Sequence, residues 1–372
     1  MTVSPTIPTI RSRISTDLFH RPCNGWIGVD VGTATIKLAQ VERRGNRWRL
    51  AASLIVQRDD VSAGQSNDSE GLVQRALRSV ATMTAGFKGR RTACLLPTSV
   101  MEFQTFDIPD SSDDETEQMI QQELEGSAEG DGEPREFGFW RTSDSSTKKD
   151  VSPVTVVSVS RRIASAAAAG LLDAGLRCQV IDGLPFALSR AASMALPNHE
   201  VQPVATLSWG YSSALLTIAK NGQPVFARSL RDCSLSEWIN PICENLGISP
   251  DECRHMLAMY GLNASPNRPA AEDVSEAISQ LTADPLNRIV DELRKTLSYV
   301  QQQFPNLVPD RLLLFGGGAT IRNIAATLTQ SVGIESTVWQ LTPELADRPE
   351  SIDPSQALLG PAIALSALAG AS

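Results

Sequence analysis

The stretch VDVGTATIKLAQV (29–41) sets Asp30, Gly32, Thr33 and Lys37 into an otherwise apolar run. An aspartate on one strand, a glycine turn and a lysine on the returning strand are the parts of a hairpin that holds a phosphate. The glycine lets the backbone approach an anion and consecutive N–H groups form a nest around it. The carboxylate is a hard oxygen ligand suited to hydrated magnesium. A second stretch, LSWGYSSALLTIA (207–219), superposes on the first. Asp30 then falls on Ser208, Gly32 on Gly210, Thr33 on Tyr211, Ala34 on Ser212 and Lys37 on Leu215. Two such hairpins, facing one another, would grip one phosphate chain from both sides. A third element, RLLLFGGGATIRNIAATL (311–328), runs an apolar strand through Gly316, Gly317 and Gly318 into a helical pattern. A helix N-terminus placed there would face an anion. The candidate ligand-binding residues are therefore Asp30, Gly32, Thr33, Ala34, Lys37, Gly210, Tyr211, Ser212, Gly316, Gly317 and Gly318, with Asp30 the candidate metal ligand.

Each has a plainer role open to it. Lys37 either ligates a phosphate or ends a strand in solvent, and Asp30 either holds solvated magnesium or caps its turn. A tight turn needs one glycine, not three. Beyond Asp30 no Asp/Glu/His constellation offers a general base.

Alternating strand-like and helix-like runs place these motifs in an α/β fold. Residues 26–56 read as a three-stranded meander turning near Arg44–Asn46, 69–86 as an amphipathic helix and 90–97 as a buried strand. From residue 99 the texture changes. A strand at 100–109 precedes an acidic helix capped by Ser111 or Ser112, with Asp113, Asp114 and Glu115 favourable against its dipole. A Gly- and Ser-rich stretch, 126–150, carries a strand near Phe137–Arg141; strand–helix pairs follow at 153–176 and 178–196. The second half starts over with a meander at 203–231 turning on Asn221-Gly222, then helices at 234–247, 249–261 and 287–304.

A net charge of −9 on 372 residues excludes an extended nucleic-acid surface, which needs clustered Lys and Arg. The scattered cysteines (23, 94, 178, 233, 243, 253) and three histidines show no metal-ligand spacing. No run approaches a membrane span, and the first 24 residues lack the apolar core of a signal peptide, so cytoplasmic residence is expected.

The two glycine hairpins and the glycine turn, in this order, resemble the actin-like ATPase superfamily. Within it the chain resembles the PilM family of type IV pilus assembly proteins. The carrying residues are IGVDVGTATIKLAQV, LLPTSVMEFQTFDIP before the acidic helix, VVSVSRRIASAAAAGLLDAGLRCQVIDGLPFAL, GISPDECRHMLAMYG and ELRKTLSYVQQQFPNLVPDRLLLFGGGATIRNIAATL. The resemblance implies a two-lobed, duplicated ribonuclease H-like fold with an inserted FtsA-type subdomain. Its expected divisions are a disordered tail (1–24), a first-lobe core (25–98 and 176–200), the insertion (99–175), a second-lobe core (201–235 and 306–372) and a helical subdomain (236–305). It further implies a cytoplasmic scaffold or adaptor, with ATP and magnesium between the lobes. The N-terminal cytoplasmic peptide of a PilN-like inner-membrane protein would dock on the first lobe, and pilus motor and platform proteins would be further partners. Neither nucleic-acid binding nor direct membrane insertion is implied.

Two departures weaken the implied ATPase. ATP-hydrolysing relatives carry a second aspartate where this chain has Ser208, beside the bulky Trp209. The Glu-x-x-Lys pair often found in PilM relatives falls on Arg254 and Leu257. Weak or vestigial nucleotide binding is the expectation, against the alternatives of an active magnesium-dependent ATPase or kinase and of an FtsA-like division protein. FtsA ends in a basic amphipathic helix, whereas this sequence has no basic residue after Arg348.

Overall fold

The computed structural model describes residues 23–44, 47–58, 69–126, 133–141, 151–196, 202–262, 269–341 and 355–370. The expected N-terminal tail, but for its last two residues, and the centre of the first meander's turn lie outside them.

In the first lobe, β1 (Cys23–Asn24), β2 (Ile27–Val31), β3 (Thr35–Arg44) and β4 (Arg47–Gln57) are followed by α1 (Ser69–Arg78) and β5 (Arg91–Leu95). Then come β6 (Glu102–Pro109), α2 (Asp113–Gly126), β7 (Arg135–Arg141), β8 (Val151–Ser160), α3 (Arg161–Asp173), β9 (Arg177–Asp182) and α4 (Leu184–Ala195). The second lobe holds β10 (Val204–Trp209), β11 (Ala214–Lys220), β12 (Gln223–Leu230), α5 (Ser236–Leu246), α6 (Pro250–Met259) and α7 (Pro269–Gln303). It closes with β13 (Arg311–Phe315), α8 (Ile324–Val332), β14 (Glu335–Val338) and α9 (Ser355–Ser366).

The two large sheets have one topology. β4, β3 and β2 form an antiparallel meander, with β5 and then β9 added in parallel beside β2. β12, β11 and β10 repeat that meander, with β13 and β14 in parallel beside β10. This is the duplicated ribonuclease H-like order expected of a two-lobed α/β protein. The Asn221-Gly222 turn has φ of 55° and 73°, as a tight hairpin of right-twisted strands requires.

The lobes meet around α9. Its residues are almost all apolar and buried on every side, as a helix without a polar face must be. With α4 it joins Ala39 and Val41 of the first sheet to Leu215, Leu313 and Phe315 of the second in one core. The approach is close: a Cβ on Gly28 of β2 would lie 1.9 Å from the Ala362 carbonyl oxygen.

The insertion is a three-stranded sheet, β6-β8-β7, on which α2 packs Ile120 and Leu124. Ser112 is the α2 cap: its N–H donates to Glu115 at 3.0 Å, and the Glu115 N–H donates to the Ser112 hydroxyl at 3.4 Å. The helix α3, assigned to the insertion in the sequence reading, instead shares the first-lobe core. Its Ala164, Ala167 and Leu171 cluster with Val73 and Leu77 of α1. At Gly170 the helices are so near that a Cβ would sit 3.0 Å from the Gln74 carbonyl oxygen. In the second lobe α7 begins at Pro269, well before the expected Asn287, and runs through Pro285. A proline inside a helical pattern reads as a stop, and here the helix continues past it.

Candidate functional site

The two hairpins are built alike. The Gly32 N–H donates to the Thr35 carbonyl at 2.9 Å, and the Gly210 N–H donates to the Ser213 carbonyl at 2.9 Å. In both strands leading to these turns a single position escapes full burial: Asp30 in β2 and Ser208 in β10. Each faces its counterpart across the ladder, Asp30 opposite Lys37 and Ser208 opposite Leu215. The sequence superposition of the two hairpins is thus the structural one.

Their chemistry differs. Lys37 Nζ donates to Asp30 Oδ2 at 2.9 Å, with the side chains only 13% and 14% exposed. At the equivalent place the second hairpin has a hydroxyl and a hydrocarbon. The turns also touch across the cleft: the Thr33 and Ser212 hydroxyls share a hydrogen bond of 2.5 Å, and those of Thr98 and Ser213 one of 2.6 Å. Behind them a cavity of about 210 Å³ is lined by Asp30, Gly32, Thr33, Ala34, Lys37, Gly210, Tyr211, Ser212, Gly316 and Gly317. These are ten of the eleven residues proposed from the sequence, and among the described residues Asp30 is the one acidic side chain in the lining.

The eleventh, Gly318, serves packing. A Cβ there would come within 2.2 Å of the Trp209 ring, which is buried against Trp238 in a T-shaped contact of 5.0 Å. Trp209 therefore points into the core, away from the cleft. The three glycines do not lead straight into a helix either. Residues Gly317–Thr320 form a 3₁₀ turn, and α8 starts only at Ile324 after a left-handed Asn323. Gly316, at φ 81°, is the position that demands glycine conformationally, and its approach to the Trp209 carbonyl leaves no space for a Cβ.

On α6 the two positions on which the Glu-x-x-Lys pair falls face different surroundings. Arg254 lines the cavity, whereas Leu257 is buried in the second-lobe core. The Arg254 guanidinium donates to Asp251, which is 72% exposed. A capping box between Ser249 and Glu252 fixes the start of this helix.

The sequence matches the model of the type IV pilus assembly protein PilM family over residues 28–358. The chain belongs to the PilM family. Among curated proteins none matches the sequence. A solved structure titled as a PilM-PilN type IV pilus biogenesis complex is similar to this PilM-family chain with a TM-score of 0.71 at 21% identity, covering 94% of this chain and 99% of that one. Also similar is the ethanolamine utilization protein EutJ of Carboxydothermus hydrogenoformans, with a TM-score of 0.49, 13% identity and coverage of 93% and 90%. MreB5 of Spiroplasma citri bound to ADP has a TM-score of 0.47, 14% identity and coverage of 86% and 92%. The likeness to the first of these shows the actin-like fold.

Several cleft residues of this PilM-family chain were not among the sequence candidates, Thr98 and Ser213 chief among them. Thr98 and Ser213 stand where the lobes touch. Thr98 was accessible to inference: it follows the carboxyl end of β5, which runs parallel to β2, and ligand crevices in such sheets open at that end.

Proposed function

We propose that this protein is a cytoplasmic adaptor of a type IV pilus or a related secretion or competence machine, recruited to the inner membrane face by a PilN-like partner. Membership of the PilM family carries this reading. The likeness to a PilM-PilN complex supports the choice of partner. Among the described residues no helix is long and apolar enough to cross a membrane, so recruitment through a membrane-anchored partner is the fitting route.

The partner's N-terminal cytoplasmic peptide would lie on the first lobe, in the groove between the insertion and the first sheet. Phe137 and Gly138 of β7, Val157 of β8, Ser165 of α3 and Val180 of β9 line it, and its volume is about 470 Å³. Both β7 and β9 are edge strands of their sheets, which suits an extended segment that adds main-chain hydrogen bonds and drops alternate side chains into an apolar trough. Pilus motor and platform proteins would be reached through the same assembly.

The cleft between the lobes is read as an inherited nucleotide site that binds ATP weakly and does not turn it over. One hairpin keeps its charged pair, the other has Ser208 and Leu215, and among the described residues no further acid lines the cavity to activate water. The cavity is smaller than the roughly 300 Å³ at which ligand pockets begin, so a nucleotide enters only when the turns part.

The deciding test is co-purification of the full chain with a single-span membrane protein, competed by a peptide of that protein's N-terminus. The exposed Ser165 replaced by tryptophan fills the groove and abolishes capture while leaving thermal stability unchanged. Magnesium-dependent phosphate release that disappears in Asp30→Ala would sink the adaptor-only reading, and failure to capture any such partner would sink the pilus one.

A further inference from the structure

We propose that the cleft takes its nucleotide as a metal-free polyanion, with the Arg254 guanidinium supplying the positive charge that a magnesium ion would otherwise bring. This rests on the nucleotide reading above and concerns how the same site is charged.

Magnesium keeps several waters and is held in near-octahedral geometry by one or two free carboxylates together with substrate phosphates. This donor set does not fit it. Among the described residues Asp30 is the one acid in the cavity lining, and Lys37 holds it at 2.9 Å in a largely buried ion pair. A metal would have to displace that ammonium. The symmetry-related position, from which a second carboxylate would complete the shell, is Ser208, and it faces Leu215. Among the described residues no cluster of three or more His, Cys, Asp or Glu side chains is placed to hold a metal.

The cationic side of the balance points the same way. Asp30 and Lys37 cancel one another, which leaves Arg254 as the remaining charge in the lining among the described residues. Its partner Asp251 is well exposed, and such a surface pair is weak and readily exchanged. A guanidinium presents a planar fork of donors that matches two phosphate oxygens at once and stays charged at any working pH. The helix carrying it is anchored by the Ser249–Glu252 capping box, so the charge is presented from a fixed element. Of the backbone donors, the Gly32 and Gly210 N–H groups are already used across their own turns. The phosphates therefore depend on side-chain charge more than a fully open nest would require.

The test measures binding of a fluorescent ATP analogue to the full chain, in chelator and in excess magnesium, with calorimetry on ATP itself as the check. Affinity in chelator is expected to equal or exceed that in magnesium. Arg254→Gln should weaken binding in chelator about tenfold, in keeping with loss of a charge-assisted hydrogen bond, with an unchanged melting temperature. Ser208→Asp should make binding magnesium-responsive by restoring the second carboxylate. Binding at least tenfold tighter with magnesium, or an Arg254→Gln variant of unaltered affinity, overturns the proposal. So does a Ser208→Asp variant that stays indifferent to the metal. Absence of nucleotide binding under both conditions removes the nucleotide reading itself, whereas magnesium-dependent binding removes only the metal-free claim.

Discussion

The internal repeat supplies its own control for the Asp30–Lys37 pair. Both hairpins fold with the same glycine turn and the same cross-strand register, one around a charged pair and the other around Ser208 and Leu215. Replacing Asp30 by serine strands the Lys37 ammonium at 13% exposure, and replacing Lys37 by leucine strands the carboxylate at 14%. Removing one partner of a buried pair costs about 3–5 kcal/mol, because a charge is left without compensation. Residual solvent at these side chains reduces that, so each single variant should lose about 2–4 kcal/mol. The double variant Asp30→Ser/Lys37→Leu installs the neutral pair that the second lobe already tolerates, and it should fall within about 1 kcal/mol of the parent, since neutral replacement of a buried pair is often harmless. Urea unfolding of the four proteins, followed by far-ultraviolet circular dichroism of the full chain, closes the cycle. With slopes of about 2–3 kcal/mol per molar urea, each single variant moves the midpoint by about 1 M and the double variant by much less. Additive losses, agreeing within about 0.5 kcal/mol as independent sites do, would refute the reasoning. They would show that the pair is no closed electrostatic unit.

Further expectations follow from the same contacts. Gly318→Ala drives a Cβ to within 2.2 Å of the Trp209 ring and should cost about 3 kcal/mol, the upper end of overpacking, with loss of near-ultraviolet tryptophan dichroism. Gly126→Ala, which meets nothing within 4 Å, should be silent or mildly stabilising. The Glu252 carboxyl is held below its usual value by hydrogen bonds from the Ser249 backbone and hydroxyl. Its folded-state value is depressed, so its contribution is present above the unfolded value and vanishes as pH falls through the folded one. Glu252→Gln should therefore flatten the loss of stability between about pH 5 and pH 3 in acid titrations followed by dichroism. Burial pushes the Cys253 thiol up to about 12 and that of Cys233 up to about 11, while Cys23 is exposed. Labelling with an aromatic disulfide between about pH 7 and pH 9 should modify Cys23 first. The rates at Cys233 and Cys253 should climb about tenfold per pH unit with no plateau, because the thiolate is the nucleophile.

The repeat was legible because a hairpin's register follows from its turn, so aligning Gly32 with Gly210 aligned every partner across both ladders. Topology was legible for a related reason: meander, helix and parallel strand recur in both halves at the spacing of their apolar runs. What the chain concealed depended on partners far away in it. Gly318 is a glycine because of Trp209, not because of an anion, and a string of three glycines carries no mark of that difference. The Thr33–Ser212 hydroxyl contact joins residues 179 positions apart, and only assembled lobes bring them together. Assigning α3 to the insertion followed chain order, whereas its run of alanines and Gly170 were the sign of a close helix contact with α1. Reading a helix start after Pro285 followed local propensity, which the buried packing of Ile278, Thr282 and Ile289 overrides.

The contact between the two turns sets how readily the cleft opens. Two hydroxyl hydrogen bonds hold the turns together, and each is worth about 0.5–1.5 kcal/mol net once water is free to replace it. Parting the turns thus costs on the order of 1–3 kcal/mol, before any strain on α9, which is packed against both sheets. A ligand that needs the parted state binds more weakly by the inverse of that state's population, here roughly fivefold to a hundredfold. A cost of this size leaves the turns joined in most unliganded molecules. The groove on the first lobe is walled mainly by β7, β8, α3 and β9, but Phe186 of α4 also lines it and β7 touches β12 of the second lobe. Parting of the turns is therefore transmitted to the groove through β7 and through α4, which packs against the α9 that joins the lobes.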